Sequence, residues 1–205
     1  MMNTADNRRV QYTKRVIKES FLSLLLTKPA GSITVTEICR EADVNRTTFY
    51  THYDDVYDLK RKIEDEFYNT LVASIERYFN NGAEYASMIP VYETIAKNET
   101  LCEAIFGRFG DDAFLKRCCD IQKEQMVVFL KRQFPLESKQ TLETTRCYIM
   151  NGCMGIIKNW VYGGMKGDPV QLAQLADRLS AQTLRALTDH LRPLGARAEN
   201  TLKLS

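Results

Sequence analysis

Between positions 56 and 79 apolar residues recur at Val56, Leu59, Ile63, Phe67, Leu71, Ile75 and Phe79, three or four apart throughout. A stripe with that period occupies one face of an α-helix, whereas a strand turns its side chains over at every second residue. The same rhythm runs along most of the chain. Ile17, Phe21, Leu24 and Leu25 mark a first helix that runs out at KPAGS, and further amphipathic stretches cover 85–97, 99–108, 111–133 and 137–162. Pro135 separates the last two, and Asp168 followed by Pro169 starts a final helix bearing Leu172, Leu175, Leu179, Leu184 and Leu187. No internal repeat and no strand pattern stands against this reading, so the predicted fold is all-α.

The stretch between the first helix and the long one is short and heavily punctuated. Thr34 with Glu37 three residues on forms a capping box, which opens a short helix with Ile38 and Ala42 facing inward. ADVN interrupts it: Asp43 tolerates a left-handed turn, and Asn45 is a good N-cap for the segment that follows. Asp55 then caps the long helix, and Asn81 with Gly82 suits its C-terminal stop. Two short helices joined by a tight turn and packed on a first helix make a helix-turn-helix unit, whose second helix enters the DNA major groove.

On that second short helix Phe49 falls on the core side, while Arg46, Thr47 and Tyr50 share another face. Arg46 suits guanine O6 and N7 or a phosphate, and Thr47 offers a hydroxyl and a methyl to base edges. The hydroxyls of Tyr50 and Tyr53 suit phosphates. Taken alone, NRTTFYTHYDD reads equally as a solvated helix with aromatic packing residues. The order of box, turn and cap in front of it is what carries the specificity.

Composition narrows the function classes. A hydrophobic share of 44% with 26% charged residues excludes disorder across the whole chain. The formal net charge is +2, with bases exceeding acids up to residue 53 and acids slightly exceeding bases beyond it, so a basic head on a mildly acidic body points to a polyanion partner. Apolar runs reach only about five residues and MMNTADNRRV lacks the apolar core of a signal peptide, so a cytoplasmic protein without a membrane span is expected.

His52 and His190 are the two histidines, and neither a Ser/His/Asp nor a Cys/His arrangement nor a Gly-rich phosphate loop is recognisable. No enzyme activity, cofactor or metal is expected. The cysteines, Cys39, Cys102, Cys118, Cys119, Cys147 and Cys153, lack zinc-site spacing and read as reduced thiols mostly packed in cores. The alternative is a redox sensor using Cys118 with Cys119, or Cys147 with Cys153.

ITVTEICREADVNRTTFYTHYDDVYDL, Ile33 to Leu59, together with the first helix TKRVIKESFLSLLL, resembles the DNA-binding domain of the TetR family of transcriptional regulators. YIMNGCMGIIKNWVYGG, Tyr148 to Gly164, is similar to the regulatory domain of a TetR-like subgroup common in Gram-positive bacteria. The resemblance implies an all-α homodimer with a three-helix helix-turn-helix domain over 1–55, a helical effector-binding and dimerisation domain over 56–192, and a flexible tail over 193–205. By position, Thr36 matches a phosphate-contacting residue, Arg46, Thr47, Thr48 and Tyr50 match the recognition positions, and His52 and Tyr53 match the closing His-aromatic pair.

Two departures stand out. Asp43 replaces the usual turn glycine, and Val56 stands where the family has a phosphate-binding lysine, beside Asp54 and Asp55. The second departure implies weaker backbone affinity, with Lys60, one turn along, as a candidate replacement. His52 reads either as a phosphate contact or as a packing residue at a helix end, and Arg8 with Arg9 either as a minor-groove arm or as a solvated tail.

In the second domain the helices of 137–162 and 169–190 have apolar faces wide enough for a twofold partner, and Gly152 with Gly155 permits close approach. A dimer sets two recognition helices about 34 Å apart, one turn of a palindromic operator. Phe106, Phe109, Phe114, Met126, Phe129, Tyr148 and Trp160 are either the lining of an effector cavity or plain core. The implied function is a transcriptional repressor released from double-stranded DNA by an unidentified small-molecule effector. The alternative is a coactivator of the same family that acts through a protein partner with little or no DNA binding.

Overall fold

The computed structural model describes residues 4–80, 87–110, 112–121 and 123–190, with side chains described except at 4–6, 77–80, 112, 124, 125 and 188–190. The Asn81-Gly82 stop and the tail from 193 lie outside the described residues. Among the described residues the elements are α1 (Thr4–Thr27), α2 (Val35–Glu41), α3 (Arg46–Tyr50), α4 (Val56–Asn80), α5 (Ile89–Ala96), α6 (Glu99–Phe106), α7 (Asp112–Cys119), α8 (Lys123–Gln133), α9 (Lys139–Tyr162) and α10 (Pro169–His190). A 3-10 turn at Ala30–Ser32 joins α1 to α2, and no strand is present among these residues.

The head forms as its punctuation dictates. Thr34 Oγ1 accepts from the Glu37 amide at 3.3 Å while Glu37 Oε2 accepts from the Thr34 amide at 2.9 Å, which closes the capping box that opens α2. Asp43 takes a left-handed φ of 50°, and the Val44 amide returns to the Cys39 carbonyl at 3.0 Å. Asn45 Oδ1 accepts from the Thr48 amide at 2.7 Å to start α3, and Asp55 Oδ1 accepts from the Asp58 amide at 2.7 Å to start α4.

One apolar core runs from head to body. Ile17, Phe21, Leu22 and Leu25 of α1 meet Ile38, Phe49 and Leu59, and the stripe on α4 continues through Ile63, Phe67 and Leu71 toward Tyr92, Phe106 and Trp160. Helix α5 is packed between α4 and α10, and α6 lies against both α1 and α9. The packing therefore ties the head to the body along α4 and across the contact of α1 with α6.

One expectation changes. The stretch 111–133 is two helices, not one, because the Asp120 amide turns back to Lys116 and Arg117 and the Ile121 amide to Cys118. On α10 the residues buried against the body are Ala173 and Ala176, whereas Leu175 and Leu179 are 41% and 53% exposed. Alanine lets α10 sit close on its neighbours, with Leu172, Leu184 and Leu187 packed at the edge of the contact and Leu175 and Leu179 left facing away.

Candidate nucleic-acid interface

Helix α3 has five residues, too few to persist alone in water, so its neighbours must hold it. The Asn45 cap secures its N-terminal end. Phe49 is fully buried, with its ring 5.6 Å from that of Tyr53, and its burial contributes about 1.5–3 kcal/mol. The C-terminal end is gripped from α4: Lys62 Nζ donates to the His52 carbonyl at 3.1 Å and lies 5.3 Å from the Tyr53 ring centroid.

With Phe49 turned inward, Arg46, Thr47 and Tyr50 are exposed on the far side. The Arg46 guanidinium is 5.9 Å from the Tyr50 ring and donates to its hydroxyl at 3.4 Å, so the two side chains stand as one unit. Thr36 is exposed near the start of α2. Thr48 is half-buried, with its amide and hydroxyl both on Asn45 Oδ1, so it completes the cap. Thr51, which the motif did not single out, is exposed and returns its hydroxyl to the Thr47 carbonyl at 2.9 Å.

Other expected contacts are placed differently. Tyr53 is 7% exposed, and burial holds its phenol protonated, pushed up to about 12. Its ring is core of the head. His52 is half-buried, and desolvation, with Lys14 and Lys62 nearby, holds its imidazole below the ordinary range. Lys60, the candidate replacement for the lysine absent at Val56, is paired with Glu64 at 2.7 Å with most of its side chain covered, and it lines a crevice between α1, α4 and α6. Val56 itself is core. Arg8 and Arg9 are exposed but lie inside α1, so they form a helical turn and not an extended arm.

The acids at the α3–α4 junction carry structural roles. Asp55 is the α4 cap, and Asp58, nearly buried, accepts from Lys62 at 2.8 Å, from the Asp54 amide at 3.2 Å and from Arg61. The hydrogen bonds from Lys62 and Arg61 hold its carboxyl down at about 2. Glu37 is likewise held at about 2, by Lys28 at 2.6 Å and by Thr34. Sequence spacing gave no sign of the Asp58–Lys62 link to α3, because it depends on the angle at which α3 leaves the turn.

Of the candidate effector residues, Phe106, Phe109, Phe129, Tyr148 and Trp160 do not meet around one cavity. Phe106 is buried against Phe67 at 6.3 Å, Trp160 stacks on Tyr92 at 5.4 Å, and Phe129 packs on a small separate cluster of Leu130, Phe134 and Leu142. Tyr148 is 70% exposed on α9. Phe109 lines the Lys60 crevice, which encloses about 250 Å³ including its open mouth. Sequence spacing gave no means of knowing which of them would converge.

On the outer side of α9, Tyr148, Gly152, Gly155 and Tyr162 are exposed, and a Cβ added at either glycine meets nothing within 4 Å. Leu175 and Leu179 are the exposed large apolar residues of α10. The cysteines make no disulfide: Cys102, Cys118 and Cys153 are buried, with burial pushing their thiols up, and Cys147 is exposed. A buried thiol that keeps its proton is a poor redox sensor. Among the described residues no helix is long and apolar enough to cross a membrane, and no His/Cys/Asp/Glu group of metal-binding size occurs.

Residues 84–182 match the family model TetR_C_8, the C-terminal region of transcriptional regulators. No curated protein matches the sequence. Among solved structures, a TetR transcriptional regulator from Streptococcus agalactiae aligns with TM-score 0.58 at 20% identity over 86% of this chain and 97% of its own. A putative TetR-family regulator from Syntrophomonas wolfei aligns with TM-score 0.58 at 16% identity, covering 85% of this chain and 95% of that one. The dihydroxyacetone kinase operon activator DhaS aligns with TM-score 0.55 at 16% identity, over 85% and 97%.

Proposed function

We propose that this chain, whose residues 84–182 match the C-terminal region of TetR-type transcriptional regulators, is itself such a regulator, in which residues 1–55 read a palindromic operator and residues 56–192 pair two copies and receive a small-molecule effector. The observation that carries this reading is the outward face of α3, where Arg46, Thr47 and Tyr50 stand exposed on a helix fixed at both ends. An arginine held against a tyrosine at the mouth of a helix-turn-helix suits guanine or phosphate, with Thr36 adding a backbone contact. The protein acts as a repressor whose effector changes the separation of two recognition helices.

The outer faces of α9 and α10 supply the pairing surface. Tyr148 and Tyr162 are exposed on the same helix as the open glycines, and Leu175 and Leu179 are exposed on α10, so a second copy covering these faces buries apolar area while its backbone comes close at Gly152 and Gly155. Asp54 and Asp55 motivate the coactivator alternative from sequence, but Asp55 is engaged as the α4 cap and Val56 is core, so both have reasons to be there that do not involve DNA.

The test is selection of bound genomic fragments with purified protein, followed by titration of the selected duplex in fluorescence anisotropy. Arg46→Ala and Tyr50→Ala are each expected to weaken operator affinity at least about tenfold, on the scale of one lost specific contact. Affinity unchanged in both variants would remove α3 as the reading surface. Wild-type protein that shows no salt-sensitive affinity for any duplex, yet captures a second regulator, would favour the coactivator.

A further inference from the structure

The Asp58–Lys62 pair sits beside the recognition helix without belonging to its exposed face. Asp58 lies in the first turn of α4 with its side chain 6% exposed, and both carboxylate oxygens are used: Oδ1 accepts from Arg61, and Oδ2 accepts from the Asp54 amide at 3.2 Å and from Lys62 Nζ at 2.8 Å. Lys62 then spans the gap to the segment that leaves α3. Its ammonium donates to the His52 carbonyl at 3.1 Å and lies 5.3 Å from the Tyr53 ring, which packs on Phe49.

Three attachments therefore reach successive residues: the carbonyl of His52, the ring of Tyr53 and the amide of Asp54. A short helix ends in carbonyls that lack intrahelical partners and carries partial negative charge there, so a lysine held at that end is favourable twice over. Asp58 fixes the long, mobile lysine stem in one place, which a lone lysine on α4 would not achieve. We propose that Asp58 and Lys62 are positioning residues for operator reading, a clamp that sets the angle of α3, and with it the aim of Arg46 and Tyr50, without touching a base.

This inference rests on the DNA-reading function above, so its test has an arm that needs no DNA. In Lys62→Met the apolar stem is kept and the donor is lost; in Lys62→Arg charge and donor are kept. Operator affinity is expected to fall about tenfold in Lys62→Met and to recover in Lys62→Arg, while affinity for a random duplex at the same salt changes less than about threefold. A phosphate contact behaves otherwise, lowering both affinities together, and that outcome would overturn the clamp.

The second arm is amide hydrogen exchange on the free full-length protein, with circular dichroism confirming that each variant remains helical. Protection at His52, Tyr53 and Asp54 is expected to drop in Lys62→Met and in Asp58→Asn and to persist in Lys62→Arg. Unchanged protection overturns the clamp even if operator affinity falls. If wild-type protein binds no duplex while protection is lost in Lys62→Met, the clamp stands as a structural device and the DNA-reading assignment is the part that fails.

Discussion

The head and the body use the same helical rhythm for different ends. In the head, polar side chains specify structure over short distances: Thr34 with Glu37, Asn45 with Thr48 and Asp55 with Asp58 each lie three residues apart and each set where a helix begins. In the body, contacts between residues far apart in sequence decide which rings are buried, as with Tyr92 against Trp160 and Phe67 against Phe106. A surface built by caps keeps its exposed groups in register, and a surface built by packing leaves its exposed groups wherever neighbours did not cover them. That difference is why the α3 face could be read in advance and the effector rings could not.

The largest test of the contrast is Phe49→Ala. It removes the one ring that fastens α3 and is expected to destabilise the head by about 3–5 kcal/mol, seen as early loss of head amide protection in urea while α9 and α10 remain protected. Loss of protection in both regions together would show that the continuous core makes them one cooperative unit and would break the distinction.

Next comes Gly155→Leu on the outer side of α9. An added side chain meets nothing within the chain, so the isolated subunit keeps or slightly gains helix stability, while pairing of copies is expected to fall at least about tenfold. Sedimentation velocity reads this directly. A variant that stays as fully dimeric as wild type would place the partner surface elsewhere.

Acid provides a third separation. Glu37 and Asp58 have folded carboxyls held at about 2, below the ordinary values of 4.5 and 3.8. A depressed carboxyl contributes stability that is present above its unfolded value and lost as pH falls toward the folded one. The head is therefore expected to weaken between about pH 4.5 and pH 2, and Asp58→Asn with Glu37→Gln to flatten that part of a urea-midpoint profile. An unchanged slope would remove these two ion pairs as its source.

The smallest expected effect is Thr34→Ala, which removes one half of the capping box and costs about 1 kcal/mol, measurable as a shift in the denaturation midpoint of the head. An equal shift in the body would mean that its stability is not separate from that of the head.

Much of the head was legible because its signals are local. A threonine, a glutamate and a left-handed aspartate have the same chemistry whatever packs on them later, and the caps at Thr34, Asn45 and Asp55 all formed as spacing requires. Lys60 shows where that reasoning ends: one turn along α4 it has the right charge for a phosphate, but the approach of α1 and α6 turns it onto Glu64. The leucines of α10 show the same limit, since a helix with apolar residues on two sides does not say which of them its neighbours will cover: Leu172 and Leu184 are packed on the core and Leu175 and Leu179 are exposed.

By itself, then, the sequence determined the helical class, the order of the short helices, the caps and the outward set Arg46, Thr47 and Tyr50, because each depends on residues within one or two turns. Only the tertiary structure decided that Tyr53 is core, that Lys62 reaches back to His52, that the candidate effector rings part company, and that Gly152 and Gly155 face open space. Those depend on the angles at which whole helices pack, which follow from the fit of many side chains together.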